Sequence, residues 1–299
     1  MKAIMFSGQG SQKIGMGKEF YDNFAECRVI FDEASQAVGF DVAKLCFEEK
    51  ELLTQTQYAQ PALLTVGVAI YRFMAERGFC ADVLMGLSLG EYTALAAAEA
   101  FDFADAVRLV HKRGKLMAEF AKEGGMLASI GVDKDMLEEI CKQASGIGYV
   151  ACANYNTYEQ IVLAGERAAL DACAIEIKKA GGKAMPLKVS GPFHTPLMAD
   201  AAEKFAHELA GLAVKTPALP VISNVDAELF PAGQHVDVLT RHMTSPVLWT
   251  KCVEKAVAMG VNMFIEVGMG KTLVNFVKSI NGSVAAFALE SMNGLEEIL

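Results

Sequence analysis

The sequence predicts an α/β protein, a parallel sheet wrapped by helices with a smaller unit set into it. Three observations predict this. Short apolar runs over residues 2–6, 82–85, 221–223, 263–267 and 285–289 alternate with helical stretches, as parallel strands and crossover helices do. Between residues 124 and 189 the rhythm changes to strand, helix, strand, strand, helix, strand, the order of a ferredoxin-like split βαβ unit. Gly86-Leu87-Ser88-Leu89-Gly90 stands between an apolar strand and an Ala-rich helix.

That pentapeptide carries chemistry. A G-x-S-x-G at a strand-to-helix turn is the pattern of a nucleophile elbow. The turn is so tight that its flanking positions tolerate little side chain, so Gly is favoured there. Ser88 is then held at the tip. The following helix points its N-terminal amides, that of Leu89 among them, at charge developing near the hydroxyl.

The chain has 299 residues, 53% hydrophobic and 21% charged, enough for a large core in one domain or in one domain with an insertion. A net charge of -9 argues against nucleic acid as a partner. No apolar stretch reaches membrane-spanning length and the N-terminus enters a strand directly, so no membrane association and a cytoplasmic location are expected. Cys27, Cys46, Cys80, Cys141, Cys152, Cys173 and Cys252 are odd in number and form no C-x-x-C pair. They read as free, buried small hydrophobes in a reducing compartment, with neither a disulfide framework nor zinc.

Along the chain, the strand over 2–6 ends in Ser7-Gly8-Gln9-Gly10-Ser11-Gln12. This loop either turns the chain plainly or brings backbone amides to a bound group, and it is neither a P-loop nor a G-x-G-x-x-G. Residues 18–38 read as one helix with Phe20, Phe24, Ile30, Phe31 and Ala34 near one face. Pro61 sits in the first turn of a helix running to about residue 75, with Leu63, Val66, Ala69, Ile70 and Phe73 buried. A helix over 103–121 carries Arg108, His111, Lys112, Arg113 and Lys115. A solvated basic face and one inward cation facing a substrate anion are both open on pattern alone. Strands over 126–130, 149–153, 160–164 and 183–187 bracket helices over 133–144, capped by Asp133, and 168–180, ended by Gly181-Gly182. The large unit therefore comprises 1–123 and 190–299, and the inserted unit 124–189. Ser190 to Pro196 is a loop, and helices follow over 199–212, 236–242, up to 259, and from 272.

A serine hydroxyl needs a base to take its proton. His111 and His207 lie in helical patterns and His235 in a polar turn, so all three read as surface residues. His242 lies near a helix end, where a cation is favourable. His194 follows the inserted unit at the C-terminal end of an expected core strand, the edge where sites form in open α/β sheets, and is the favoured base. No acid is well placed to complete a triad, since Glu166 and Asp171 fall in the inserted unit. A Ser-His dyad is expected, with the other imidazole nitrogen donating to a main-chain carbonyl.

With these residues assembled, the chain resembles the malonyl-CoA:acyl-carrier-protein transacylases of type II fatty acid synthesis, nearly end to end. The pieces are Gly8-Gln9-Gly10-Ser11-Gln12, Gln60-Pro61-Ala62-Leu63, the elbow with Glu91-Tyr92, Arg113-Gly114 with Met117, Asn154-Tyr155-Asn156, Phe193-His194 with Leu197-Met198, Ser245-Pro246-Val247 with Trp249, and Glu266-Val267-Gly268 with Gly270-Lys271. The resemblance implies an α/β-hydrolase-like large domain with a ferredoxin-like insertion. It implies that Ser88 carries the malonyl group, that His194 shuttles the proton, and that the amides of Gln9 and Leu89 form the oxyanion hole. Arg113 would pair bidentately with the free malonyl carboxylate, a geometry Lys cannot copy. Asn156 and Leu87 would join the substrate pocket, and the main-chain carbonyl near His242 would orient His194. Where the family usually has His before the nucleophile, this chain has Leu87, which implies altered packing or selectivity without loss of activity. Phe193 resembles the bulky residue found where malonyl is preferred, since a phenyl ring fills the space an α-methyl group needs.

The implied substrates are malonyl-CoA and a phosphopantetheinylated acyl carrier protein, with no resident cofactor and no metal. A carrier with an acidic surface would suit a patch of Lys178, Lys179, Lys183 and Lys188, whose plain alternative is solubility. Nothing demands more than a monomer. Three other readings share the motifs: a serine acyl hydrolase, which has no reason to aim a guanidinium into its acyl pocket; a stand-alone acyltransferase serving a polyketide synthase; and a non-enzymatic interaction module, against which Ser88, His194, Arg113 and Gln9 together count.

Overall fold

The computed structural model describes residues 1–294. Its strands are β1 (Lys2–Phe6), β2 (Val83–Gly86), β3 (Gly125–Ile130), β4 (Val150–Tyr155), β5 (Gln160–Gly165), β6 (Lys183–Pro186), β7 (Val221–Ile222), β8 (Met263–Val267) and β9 (Ala285–Leu289). One sheet has the order β7-β2-β1-β8-β9, with every neighbouring pair parallel. Its central strands are buried on both faces, which is why they read as apolar runs without alternation. Successive side chains still part company as a two-residue period requires. Ile4, Phe6 and Leu84 enter one core, while Ala3, Met5, Val83 and Met85 enter the other.

The second sheet, β4-β5-β3-β6, is antiparallel. It lies between β2 and β7 in the chain and packs the helices Lys134–Ala144 and Arg167–Lys179 over its own apolar core. The Asp133 side chain caps the first of these by accepting from the Met136 amide, worth about 1 kcal/mol. Backbone bonds tie this sheet to the rest. Tyr155 N–H donates to the Val247 carbonyl and Val247 N–H to the Ala153 carbonyl, both at 2.9 Å.

Several expectations are corrected. The helix expected over 18–38 is two, Lys18–Asn23 and Ala25–Val38. Phe24 between them is extended, and its ring packs 4.4 Å from that of Phe73, so tertiary contact overrides local periodicity. Two short helices, Val42–Phe47 and Lys50–Leu53, carry no clear sequence period. The helix expected to open at Pro61 starts earlier and spans Thr56–Glu76. Proline inside a helix frees the carbonyl four residues back. Here that carbonyl belongs to Gln57, and His111 Nδ1–H donates to it at 2.8 Å. His111 is therefore half-buried and structural, not a surface residue, and burial lowers its pKa. His235 is also half-buried, opening the helix His235–Thr244 instead of lying in a turn. Six cysteines are buried as expected, but Cys80 is exposed. Among the described residues, no helix is long and apolar enough to cross a membrane.

Candidate active site

Ser88 stands directly beyond β2, at the N-cap of the helix Leu89–Ala97, with φ 53° and ψ -103°. A non-glycine residue at positive φ is strained and persists only where its surroundings hold it. The flanking glycines are required by space. A Cβ on Gly86 would lie 2.1 Å from the Gly90 carbonyl carbon, and one on Gly90 would lie 2.1 Å from the Phe6 carbonyl oxygen.

His194, also at positive φ, brings Nε2 to 2.8 Å from Ser88 Oγ. Its Nδ1–H donates to the His242 carbonyl at 2.9 Å. That bond fixes the tautomer and leaves a lone pair on Nε2 to receive the serine proton. His194 does not follow a core strand as expected. The strand before it is β6, a largely exposed edge of the second sheet, and the loop over 187–195 carries it to the serine. Burial, aided by the charge of Arg113, lowers the His194 pKa to about 3 and keeps the ring neutral. His242 is fully buried and likewise held well below the usual value, so it is a neutral imidazole and not the cation expected at its helix end.

Gln9, Leu87, Ser88, Arg113, Asn156, Phe193 and His194 line one cavity of about 280 Å³. One wall comes from the loop after β1 and the elbow, and the other, with Met126, Ala128 and Val162, from the second sheet. The side chains of Leu89 and His242 lie outside this lining. Among the described residues, neither the Gln9 nor the Leu89 amide donates within the protein. The Gln9 side chain is braced by Thr56, its Nε2–H donating to Thr56 Oγ1 at 3.1 Å.

Arg113 projects from the helix Phe103–Glu119 and is 1% exposed. Gly114 lets that helix approach closely, since a Cβ there would lie 2.6 Å from Gln57 Cα. The guanidinium donates from Nη1 to Gln60 Oε1 at 2.9 Å and sits 4.9 Å from the Tyr92 ring centre. Among the described residues its Nε and Nη2 have no partner. An uncompensated buried charge costs several kcal/mol, and the Tyr92 face returns about 2 kcal/mol. An anion entering the cavity would relieve the remaining deficit. Asn156 Oδ1 is also buried, without a partner among the described residues.

Sequence reasoning gave no role to Gln60, Asn224, Glu91 or Glu266. Gln60, Glu91 and Glu266 are polar residues among small or apolar neighbours, which is the signal that marks a buried network, whereas Asn224 lies in a polar turn that carries no such signal. Asn224 holds the elbow, accepting the Ser88 amide on Oδ1 at 2.7 Å and donating from Nδ2 to the Gly86 carbonyl at 2.8 Å. Glu266 on β8 accepts from Ser7 Oγ and the Val274 amide, both at 3.0 Å, which steadies the start of the Gln9 loop. Burial raises its pKa to about 7. Among the described residues, no cluster of three or more His, Cys, Asp or Glu could hold a metal ion.

The family model described as the acyl transferase domain matches residues 4–289. The malonyl CoA-acyl carrier protein transacylase of Escherichia coli K12 is 41% identical, over 99% of this chain and 98% of that protein. The transacylase of the same name from Bacillus subtilis strain 168 is 40% identical, over 98% and 95% respectively. The crystal structure of the transacylase from Clostridium perfringens superposes with a TM-score of 0.96 at 41% identity, over 99% of this chain and 95% of that one.

Proposed function

We propose, because this chain belongs to the acyl transferase domain family, that it transfers a malonyl group from malonyl-CoA to the phosphopantetheine thiol of an acyl carrier protein, supplying fatty acid synthesis. The observation that carries the reading is Arg113. A buried guanidinium with two unpartnered nitrogens at the cavity of Ser88 suits an acyl group that ends in a carboxylate. A plain ester hydrolase gains nothing from it.

The reaction has two half-steps of the same chemistry. Ser88 Oγ attacks the thioester carbonyl while its proton passes to His194 Nε2. The tetrahedral oxyanion is held by the Gln9 and Leu89 amides. It collapses by breaking the C–S bond, and His194 returns the proton to the departing thiolate, releasing free CoA and malonyl-Ser88. The carrier thiol then gives its proton to His194 and attacks the ester carbonyl. On collapse Ser88 leaves and recovers its proton. The His242 carbonyl orients the imidazole throughout, while Leu87, Asn156 and Phe193 shape the pocket. Nucleophile, proton and anion site all come from one chain, so the account needs neither a cofactor nor a second subunit, and a monomer fits it. Free cysteines fit a reducing, cytoplasmic setting.

We read 1–123 with 190–299 as an α/β-hydrolase-like domain and 124–189 as its ferredoxin-like insertion. The insertion's sheet order places its fourth, first, third and second strands side by side, which supports that reading. An acidic carrier would find exposed Lys178, Lys183 and Lys188, while Lys179 already pairs with Glu176. Lys188 stands at the cavity mouth, between Leu187 and Val189 of its lining.

The fate of the acyl-enzyme tests this reading. Malonyl-Ser88 should persist in water and discharge within seconds when a phosphopantetheinylated carrier is added. Loss to water at the same rate with and without carrier would favour the hydrolase.

A further inference from the structure

Among the described residues no carboxylate bonds the imidazole of His194, yet one lies a single residue removed from each member of the dyad. Glu91, on the first turn of the elbow helix, is 0% exposed. Its Oε2 accepts the Asn224 amide at 2.7 Å, and Asn224 in turn spans the elbow from the Gly86 carbonyl to the Ser88 amide. On the other side, His242 Nε2 lies 3.4 Å from both Glu91 Oε2 and Asn224 Oδ1. The carbonyl of that same His242 accepts Nδ1–H of His194.

We propose that Glu91 is a positioning residue that couples the two members of the dyad, fixing Ser88 through Asn224 and His194 through His242. The proposal rests on the transacylase reading for the identity of the dyad. It follows from the geometry in two steps. Ser88 sits at positive φ, so its backbone stays in place only while something grips it, and Asn224 grips it from both sides. Asn224 is itself held by its backbone amide, whose acceptor is Glu91. His242 is neutral. With its Nδ1 unpartnered among the described residues, its ring proton sits on Nε2, which donates to Asn224 Oδ1 and lies equally near Glu91 Oε2. Glu91 Oε2 thus holds Asn224, whose Oδ1 receives both the Ser88 amide and the ring N–H of His242, and the same carboxylate stands 3.4 Å from that ring. Burying a carboxyl in an Ala-rich helix is costly, and among the described residues Glu91 Oε1 has no hydrogen bond to offset it. A role confined to packing would be served better by an apolar residue.

The test compares wild type, Glu91→Gln and Asn224→Ala in two reactions. One is acylation by malonyl-CoA. The other is inactivation by a small neutral fluorophosphonate, which needs Ser88 and His194 but offers Arg113 no carboxylate. Either variant that melts near wild type should lose about tenfold or more in both rates by a common factor, with KM for malonyl-CoA changed by less than about twofold. Unchanged rates in a folded variant overturn the proposal. So does a raised KM with normal fluorophosphonate reactivity, which would make Glu91 a counter-charge to Arg113. Failure of both variants to fold would assign the two residues to the scaffold and also overturn it. A wild type that reacts with fluorophosphonate but never with malonyl-CoA would instead refute the transacylase reading and leave the positioning role standing.

Discussion

Replacing Arg113 by Ala should lower the acylation of Ser88 by malonyl-CoA about a hundredfold or more, the scale for removing one partner of a buried charge pair. Reactivity with an uncharged acyl-CoA should rise relative to malonyl-CoA, because the buried cation no longer selects against an acyl group that cannot neutralise it. Arg113→Lys should stay at least about tenfold below wild type, since a single ammonium cannot make the two parallel bonds of a guanidinium. Competition between malonyl-CoA and acetyl-CoA for the same enzyme, read by the mass of the acyl-serine, checks this. The same competition with methylmalonyl-CoA should show its share rising in Phe193→Ser. Equal losses for charged and uncharged acyl groups would remove Arg113 from substrate selection.

His194→Ala should lower acylation by about a factor of 10² to 10⁴, the usual contribution of a positioned base. Its pH dependence follows from its environment. The base form is the neutral ring, and burial with the nearby Arg113 charge keeps it neutral down to about pH 3. The acid limb that an ordinary histidine would impose near 6.5 is therefore absent. Loss of wild-type rate between pH 5 and 8 would belong to other groups, chief among them Glu91 and Glu266, both raised to about 7 by burial. A base held so low is weak until substrate arrives. The malonyl carboxylate then offsets Arg113, the second cause of the depression, and the developing oxyanion favours the imidazolium. Acylation of Ser88 followed from pH 5 to 8 should show no inflection that His194→Ala removes.

The elbow was legible because its constraint is local. A turn that brings a Gly86 Cβ within 2.1 Å of Gly90 admits only glycine, and the sequence displays both. The strands of the parallel sheet were legible because burial of the central ones on both faces makes them predominantly apolar. What could not be read depends on contacts between distant segments. Phe24 breaks a helix because Phe73 receives its ring, and Pro61 lies inside a helix because His111 accepts the task of capping Gln57. The pairing of Ser88 with His194 joins residues 106 apart in the chain, and it was expected from the loop that carries His194 and from the resemblance, although the core strand expected before His194 is not there. Arg113 was one of several cations on its helix by pattern alone; the resemblance singled it out, and the fold buries its side chain at the cavity. Asn224 sat in what reads as an ordinary turn, and its role exists only once the turn meets the elbow.

The most direct test is the intact mass of the protein after a brief incubation with malonyl-CoA, for wild type and Ser88→Ala side by side, with the modified peptide then sequenced. Wild type should gain one malonyl group, located on Ser88, and Ser88→Ala should gain none. A wild type that stays unmodified, or an adduct that forms equally well on Ser88→Ala, would contradict the assignment of Ser88 as the nucleophile and the transfer built on it.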